Sequence, residues 1–257
     1  MSYAVRFTAY KTIVKREITR FMRIWPQTIL PPAITMTLYF IIFGNLIGKR
    51  IGTMDGFSYM EFIVPGLIMM SVITSSYANV VSSFFSMKFQ RSIEELLIAP
   101  VPNFIILAGF VSGGVARGLI VGAIVTIIAL IFTGLSIDNY LITSVVILLT
   151  AILFSLAGMI NAVFARNFDD ISIIPTFVLT PLTYLGGVFY SIKLLPEFWQ
   201  QVSLINPVLH MVNAFRYGVL GKSDLSIIYA FIIILAFITV LTAATLYLLK
   251  NGSGIRN

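Results

Sequence analysis

Hydrophobic residues in this chain are concentrated in six long runs that are separated by short polar segments. A helix that crosses a bilayer core about 30 Å thick needs roughly 20 mostly apolar residues. Each run has that length and contains at most one charged residue, whereas the helices of a soluble domain are usually shorter and amphipathic. The pattern therefore predicts an all-α polytopic membrane protein, with residues 1–257 as a single transmembrane domain. The six predicted transmembrane helices are Pro26–Gly48, Met60–Ser86, Phe104–Thr133, Tyr140–Phe164, Ile173–Ile192 and Ile227–Leu249.

The segment before the first run, residues 1–25, has the pattern of an amphipathic helix lying on the cytoplasmic face of the membrane. On a helical wheel its apolar side carries Val14, Ile18, Phe21, Met22 and Trp25. The opposite side carries Arg16, Arg20 and Arg23. Aromatic residues on one face and basic residues on the other are typical of an interfacial helix. The helix is expected to anchor the chain to lipid or to touch a cytoplasmic partner.

A short helix is predicted within residues 88–100, between the second and third runs. Ile93, Leu96 and Leu97 form its apolar face, and the prolines at its end prevent it from continuing. A helix this short is not stable alone in water. It is therefore expected to pack against the membrane or another protein, with a plain surface connector as the alternative.

Prolines and glycines modify several of the predicted helices. Pro31-Pro32 predicts a kink in the first span, which neighbouring helices must cover. Residues 193–222 are broken by Pro196 and Pro207 and are predicted to form an external hairpin of two short re-entrant helices. Asp169 and Asp170 are expected to cap the start of the fifth helix.

Small residues recur along the third run at the four-residue spacing that lets helix backbones approach closely in lipid. Close packing is predicted, either within one protomer or across a dimer. Arg117 lies in the same run. A buried arginine there costs at least about 2.5–3.5 kcal/mol, so it should be paired, face water or snorkel towards the surface. The glycines with this spacing are Gly109 and Gly113, and Gly114, Gly118 and Gly122.

Composition agrees with this interpretation, because 58% of the residues are hydrophobic and only 11% are charged, against about 25% charged in an average globular domain. Eleven basic residues fall on the side of the termini and five on the other, which predicts that both termini are cytoplasmic. No folded basic face is available for nucleic acid. The eleven are Arg6, Lys11, Lys15, Arg16, Arg20, Arg23, Lys88, Arg91, Arg166, Lys250 and Arg256; the five are Lys49, Arg50, Lys193, Arg216 and Lys222.

The sequence lacks the motifs of an enzyme. It contains no cysteine and one histidine, His210, so no metal site is expected. Gly221-Lys222-Ser223 resembles the end of a phosphate-binding loop, but Arg216 stands where the loop requires glycine. No catalytic residue is therefore assigned, and any ATP hydrolysis must occur in another chain.

Several local motifs resemble those of the membrane-spanning subunit of ABC-2 type ABC transporters, of the bacterial inner-membrane type. The resemblance covers nearly the whole chain and includes the amphipathic N-terminal helix, the six spans and the broken hairpin before the sixth span. The motifs are Phe62-Ile-Val-Pro-Gly-Leu67, Ile93-Glu-Glu-Leu-Leu97, Phe168-Asp-Asp170, Pro181-Leu-Thr-Tyr-Leu-Gly-Gly-Val-Phe-Tyr190, Asn206-Pro207 and Arg216-Tyr217.

The resemblance implies partners. Two permease copies would assemble, as a homodimer or a heterodimer, with two cytoplasmic ATPase subunits that bind ATP and Mg²⁺; this chain would bind no cofactor itself. The helix in residues 88–100 is similar to the family's coupling helix, and the N-terminal helix would flank the same ATPase. The implied contact residues are Lys88, Arg91, Glu94, Glu95, Leu96 and Leu97.

The resemblance also implies a transport path along the second and fifth spans, with Arg117 as a further candidate. The apolar spans favour an amphipathic, drug-like or lipid-linked cargo. An ion-gradient-driven secondary transporter is one alternative, although it would need acids within the spans. A non-transporting membrane scaffold is the other. The path residues on the second and fifth spans would be Tyr77, Asn79, Thr180, Thr183 and Tyr184.

Overall fold

The computed structural model describes residues 3–252 and 254, apart from the side chains at 45, 46 and 49. Arg256, one of the basic residues counted above, and the first two residues of the predicted N-terminal helix lie outside this range. The described chain is almost entirely helical. Within it, five helices are long and apolar enough to cross a membrane, namely Trp25–Gly44, Tyr59–Phe89, Asn103–Thr133, Tyr140–Phe164 and Ile227–Asn251.

The first part of the chain forms an N-terminal helix, an interrupted first span and a small β-hairpin. The helix interruption lies at Ile29, and Pro31 and Pro32 occupy the first turn of the helix that follows it, where a missing N–H costs little. The elements are α1 (Tyr3–Arg23), α2 (Trp25–Thr28), α3 (Leu30–Tyr39), a π-helical segment (Phe40–Ile47), α4 (Gly48–Ile51), and the antiparallel strands β1 (Thr53–Met54) and β2 (Phe57–Ser58).

Three long helices and one short helix follow the hairpin. The first long helix begins with a capping box, in which the Ser58 Oγ accepts the N–H of Glu61 and the Glu61 carboxylate accepts the N–H of Ser58. These helices are α5 (Tyr59–Phe89), α6 (Ser92–Ile98), α7 (Asn103–Thr133) and α8 (Tyr140–Phe164).

The fifth predicted span, Ile173–Ile192, corresponds to a helix that begins and ends earlier than expected. It consists of α9 (Asp170–Ile174), a π-helical segment (Pro175–Leu179) and α10 (Thr180–Tyr184); we call this run the α9–α10 helix. At 1.5 Å per residue it is about 22 Å long, shorter than a bilayer core. It ends because Gly186 and Gly187 follow, the latter with a positive φ of 68°.

The capping predicted for Asp169 and Asp170 takes a different form in the structure. The Asn167 side-chain oxygen accepts the N–H of Asp170 at 2.8 Å. The Asp170 carboxylate in turn accepts the N–H groups of Arg166 and Asn167. Asn167 therefore caps the start of the α9–α10 helix, and Asp170 stabilises the turn that leads into it.

Two short helices lie within the predicted hairpin at 193–222, after a 3₁₀ turn at Ile192–Leu194. The first of them is largely exposed, whereas the second is buried along nearly its whole length against α5, α8 and the last helix. His210 lies on the buried helix, where its Nε2 is 2.7 Å from the carbonyl oxygen of Leu204. The elements are α11 (Glu197–Leu204), α12 (Pro207–Leu220) and the last helix, α13 (Ile227–Asn251).

The glycines of α7 face other helices of the same protomer. Gly109 lies against Ile13 of α1, and Gly113 lies against Glu17 of the same helix. Gly114 and Gly118 face α5 and α8, where Ser76 is a shared neighbour, and Gly122 lies between Val72 and Ile147. Of the two arrangements that the spacing allowed, the structure thus shows packing within the protomer.

Helix α8 approaches α5 just as closely. A Cβ atom added to Gly158 would lie 2.6 Å from the backbone carbonyl oxygen of Tyr77. No side-chain rotation can relieve that overlap, because the neighbouring atom belongs to the backbone of α5.

Replacing Gly158 with valine should therefore destabilise the protein by about 1–3 kcal/mol, the usual cost of overpacking. Thermal unfolding of the detergent-purified protein, followed by loss of the monodisperse chromatographic peak, measures the effect. Ala123→Val is the matched control, because Ala123 is exposed on α7. Equal unfolding temperatures for the two variants would contradict this account of the α5–α8 contact.

Candidate functional site

A groove of about 320 Å³ lies between the middle of α5 and the α9–α10 helix. Residues at positions 70, 74, 77 and 78 fall on one face of α5 because a helix repeats every 3.6 residues. The facing residues on the other helix follow the same spacing. The lining residues are Met70, Thr74, Tyr77, Ala78, Pro175, Thr176, Leu179, Thr180, Thr183 and Tyr184.

The groove is lined by hydroxyl groups set in apolar walls, and no charged side chain lines it. Threonine and tyrosine hydroxyls can both donate and accept hydrogen bonds. Methionine, leucine and proline supply apolar contact area around them. This mixture suits a molecule that has both apolar and uncharged polar parts.

Tyr77 is a fixed part of the groove wall, because it is only 1% exposed and its hydroxyl oxygen accepts a hydrogen bond from α8. Asn161 of α8 donates from Nδ2 to the Tyr77 hydroxyl at 2.7 Å, and the same nitrogen is 3.3 Å from the carbonyl oxygen of Ile171. Asn161 thus connects α5, α8 and the α9–α10 helix. The sequence reasoning missed this residue, whose only signal was its place as a lone amide in an apolar run.

Four of the predicted path residues come together in the groove, and two lie elsewhere. Tyr77, Thr180, Thr183 and Tyr184 line it. Asn79 is on a different face of α5 and is fully buried, with its backbone and side-chain oxygens accepting from Arg20 Nη2 at 2.8 and 3.0 Å. Its interaction with α1 explains its burial.

A buried carboxylate joins α1 to the bundle. Glu17 is fully buried, and its Oε1 accepts from Ser83 Oγ of α5 at 2.8 Å and from Arg16 Nη2 at 3.0 Å. Arg20 Nε lies 3.6 Å from Glu17 Oε2. Burial lowers the pKa of Arg20, and the adjacent Glu17 carboxylate opposes that shift. Gly113 of α7 leaves the space for Glu17.

The sequence did not predict which side of α1 faces the rest of the protein. The buried residues are Ile13, Glu17 and Phe21, whereas Met22 and Trp25 from the predicted apolar face are 45% and 49% exposed. The helix packs mainly against α7. Ile13, Glu17 and Phe21 are four residues apart, which places them on one face of the helix. The sequence did not show that this face lies against the α7 glycines, because that contact is made only in the folded structure.

Arg117 lies near the break in the first span rather than in the groove. Its Nη2 is 3.4 Å from the carbonyl oxygen of Thr28. In an unbroken helix that oxygen would accept the N–H of residue 32, but Pro32 has none. The arginine therefore supplies a donor to the carbonyl group that the proline leaves without one.

The predicted partner-contact residues separate into exposed and buried groups. Glu94 and Glu95 on α6 are exposed, as is Arg91, which adopts a left-handed conformation with φ of 59° before the helix. Leu96 and Leu97 are half-buried and pack beside the buried Ile93 against the rest of the protein. The helix thus uses its apolar side to attach to its own bundle and leaves its acidic side free.

Lys88 does not belong to the exposed group in this structure. Its Nζ donates to the carbonyl oxygens of Val163 and Ala165 at 2.6 and 2.7 Å. A cation at a helix C-terminus interacts favourably with the unpaired carbonyl groups there. Lys88 therefore connects the end of α5 to the end of α8.

Exposed apolar residues in and near α6 were not predicted. Ile98 at the end of α6 is 81% exposed. Phe89 and Phe168 are also exposed, and their ring centroids are 5.0 Å apart. Large exposed apolar side chains beside polar ones are common at protein interfaces.

The described residues contain no group of three or more histidine, aspartate and glutamate side chains placed to hold a metal ion.

Comparison with known proteins defines the class of this membrane protein. A family model described as ABC-2 type transporter matches residues 8–220, so the chain belongs to the ABC-2 type transporter family, which confirms the resemblance seen in the sequence. The inner membrane transport permease YadH of Escherichia coli K12 is 60% identical over 251 residues, which cover 98% of each chain. Nodulation protein J of Rhizobium leguminosarum bv. viciae is 26% identical over 186 residues, 72% of each chain.

The contact between Arg117 and Thr28 generates a prediction about Pro32. Replacing Arg117 with methionine should destabilise the protein, because the Thr28 carbonyl then lacks a partner. Pro32→Ala restores an N–H to the helix, so Arg117→Met should destabilise the Pro32→Ala variant less than it destabilises the wild type. A double-mutant cycle of thermal unfolding is expected to show a coupling of about 0.5–3 kcal/mol. Additive effects of the two substitutions would show that the arginine does not serve this carbonyl.

Proposed function

We propose that this chain is the permease subunit of an ATP-driven exporter in the bacterial inner membrane. It moves an amphipathic, drug-like or lipid-linked substrate, and a separate ATPase subunit supplies the energy. The observation that carries the proposal is the groove in which Tyr77, Thr180, Thr183 and Tyr184 meet, in a chain of the ABC-2 type transporter family. The similarity to an inner membrane transport permease supports the location.

The chemistry of the groove supports this substrate class. A strongly charged cargo would need paired charges along a low-dielectric path, and none line the groove. Hydroxyl groups can orient uncharged polar parts of a substrate while the apolar walls contact its remainder. A lipid-linked or drug-like molecule combines these two kinds of surface.

The groove is also open on one side, which supports assembly with a second copy of this chain. The α9–α10 helix leaves Ile173, Phe177 and Val178 exposed, by 48%, 73% and 41%. A homodimer would place two such faces against each other and enclose a shared path. In that dimer, the α9–α10 helix and the loop after Tyr184 would together cross the membrane as the sixth span.

The ATPase would bind at the end of the bundle that carries α6, which the distribution of basic residues predicts is cytoplasmic together with both termini. Two ATPase copies would each contact one coupling helix and would hold the ATP and Mg²⁺. The exposed Glu94 and Glu95, together with Ile98, would form the contact. Leu96 and Leu97 would transmit motion inward, because they already pack against the bundle.

Reversing the two exposed charges tests the contact. Glu94→Lys with Glu95→Lys should abolish the stimulation of ATPase activity by the permease, because like charges would then face the partner's basic residues. ATPase activity of the purified complex is measured in nanodiscs. Glu197→Lys is the matched control, since Glu197 is an exposed acid on α11 and should leave stimulation intact.

Two outcomes would contradict the coupling assignment. One is wild-type stimulation in the double variant; the other is recovery of the protein without any nucleotide-binding subunit after repeated gentle purification. In the second case, substrate flux in vesicles driven by an ion gradient would favour a secondary transporter, and absence of flux would favour a scaffold.

Filling the groove tests the path independently. Thr180→Trp places a large ring among the lining residues, so it should lower ATP-dependent uptake of amphipathic dyes into inside-out vesicles by about tenfold. Thr239→Trp is the control, because Thr239 is exposed on α13 away from the groove. If both variants are expressed normally and Thr180→Trp leaves dye uptake unchanged, the groove is not part of the transport path.

A further inference from the structure

A second cavity, of about 550 Å³, lies at the end of the bundle opposite α6. It is formed where the first turn of α5, the last turn of α12 and the loop before α13 meet. The distribution of basic residues predicts that this end is external. The transport function proposed for the groove and α6 does not involve this cavity.

The wall of the cavity contains a buried arginine whose hydrogen-bonding capacity is only partly used. Arg216 is 2% exposed, and its Nη2 donates to the carbonyl oxygen of Gly187 at 2.6 Å. The guanidinium carbon lies 4.0 Å from the centroid of the Phe62 ring. Its Nε and Nη1 are also buried, and neither has a hydrogen-bond partner among the described residues.

The acidic residues nearby do not neutralise this guanidinium directly. The Asp224 carboxylate is already engaged, since its Oδ1 lies 3.2 Å from Lys193 Nζ and its Oδ2 accepts from Ser191 Oγ at 2.9 Å. Asp55 is the other acid in the cavity wall. Neither forms an ion pair with Arg216 in the part of the chain that the structure describes.

The cavity carries an excess of positive charge. Three basic side chains, Lys193, Arg216 and Lys222, line it together with two acidic ones. Lys222 is exposed at the mouth, where its Nζ donates to the backbone oxygen of Asp55 at 3.0 Å and lies 5.3 Å from the centroid of the Phe57 ring. An anion entering the cavity would therefore meet Lys222 before it reaches Arg216.

A buried cation with free N–H groups is costly unless an anion or polar group completes its contacts. Unsatisfied buried polar atoms are rare in native proteins and often mark a bound ion or water. A guanidinium group matches the geometry of phosphate oxygens better than an ammonium group does. We propose that this cavity binds a phosphate group, with Arg216 as the inner ligand and Lys222 at the entrance.

The phosphate could belong to a lipid headgroup or be free in solution, and binding experiments on the detergent-purified full chain distinguish the two. Isothermal titration calorimetry is run with sodium phosphate and with dihexanoyl phosphatidylglycerol below its micelle concentration. Sodium chloride at equal ionic strength and dihexanoyl glycerol, which lacks the phosphate, are the controls. Saturable heat with sodium phosphate indicates free phosphate, and saturable heat with the lipid alone indicates a headgroup.

Three substitutions test whether the phosphate-bearing probes bind in this cavity. Arg216→Gln should abolish it, but this buried residue could also be needed for folding. Lys222→Glu avoids that difficulty because Lys222 is exposed, and it should weaken binding by about tenfold or more through charge reversal at the mouth. Arg50→Glu reverses an exposed charge on the same predicted side, outside the cavity lining, and should bind like the wild type.

Two results would overturn the proposal. The first is absence of saturable binding for both phosphate-bearing probes. The second is binding that Lys222→Glu leaves unchanged, or that Arg50→Glu weakens to the same extent. Neither result bears on the ATP-driven transport proposed above, because that function uses the groove and α6 rather than this cavity.

Discussion

The structure is organised around the close approach of two helices, α7 and α8, to α5. Lipid tails are as apolar as the side chains, so helices in a bilayer associate through van der Waals packing rather than through the hydrophobic effect. Gly114, Gly118 and Gly122 of α7 and Gly158 of α8 permit that packing, because side-chain or backbone atoms of α5 lie where a Cβ atom would stand. As a result α5 is buried along most of its length, while its groove-facing strip and its last residue, Phe89, are accessible.

Polar side chains inside this tightly packed bundle act mainly as connections between helices. Glu17, Arg20 and Asn79 join α1 to α5, and Arg117 serves the carbonyl that Pro32 leaves without a donor. In a low-dielectric interior such groups are costly when unpaired and stabilising when paired. Asn79 and Arg117, which the family resemblance implied as path residues, have such connecting contacts and lie outside the groove.

The two ends of the bundle and its open side present different chemistry. The α6 end exposes acidic and apolar residues, the α9–α10 side exposes an uncharged groove with hydroxyl groups, and the opposite end holds a basic cavity around Arg216. In the proposed function, the α6 end would contact the ATPase and the groove would hold the cargo. A single continuous helix, α5, connects these surfaces: its first turn contributes to the basic cavity, its middle lines the groove and its last residue lies close to α6.

The sequence by itself determined the class of protein, since apolar runs of membrane-spanning length and glycines at helical spacing reflect local periodicity that no tertiary contact has to supply. It also singled out Tyr77, Thr180, Thr183 and Tyr184, which line one groove. Only the tertiary structure decided which face of α1 is buried, that Lys88 binds the end of α8, and that the fifth helix stops at Tyr184. The reason is that the rotation of a helix, its polar partners and the place where it ends depend on neighbours that are distant in the chain.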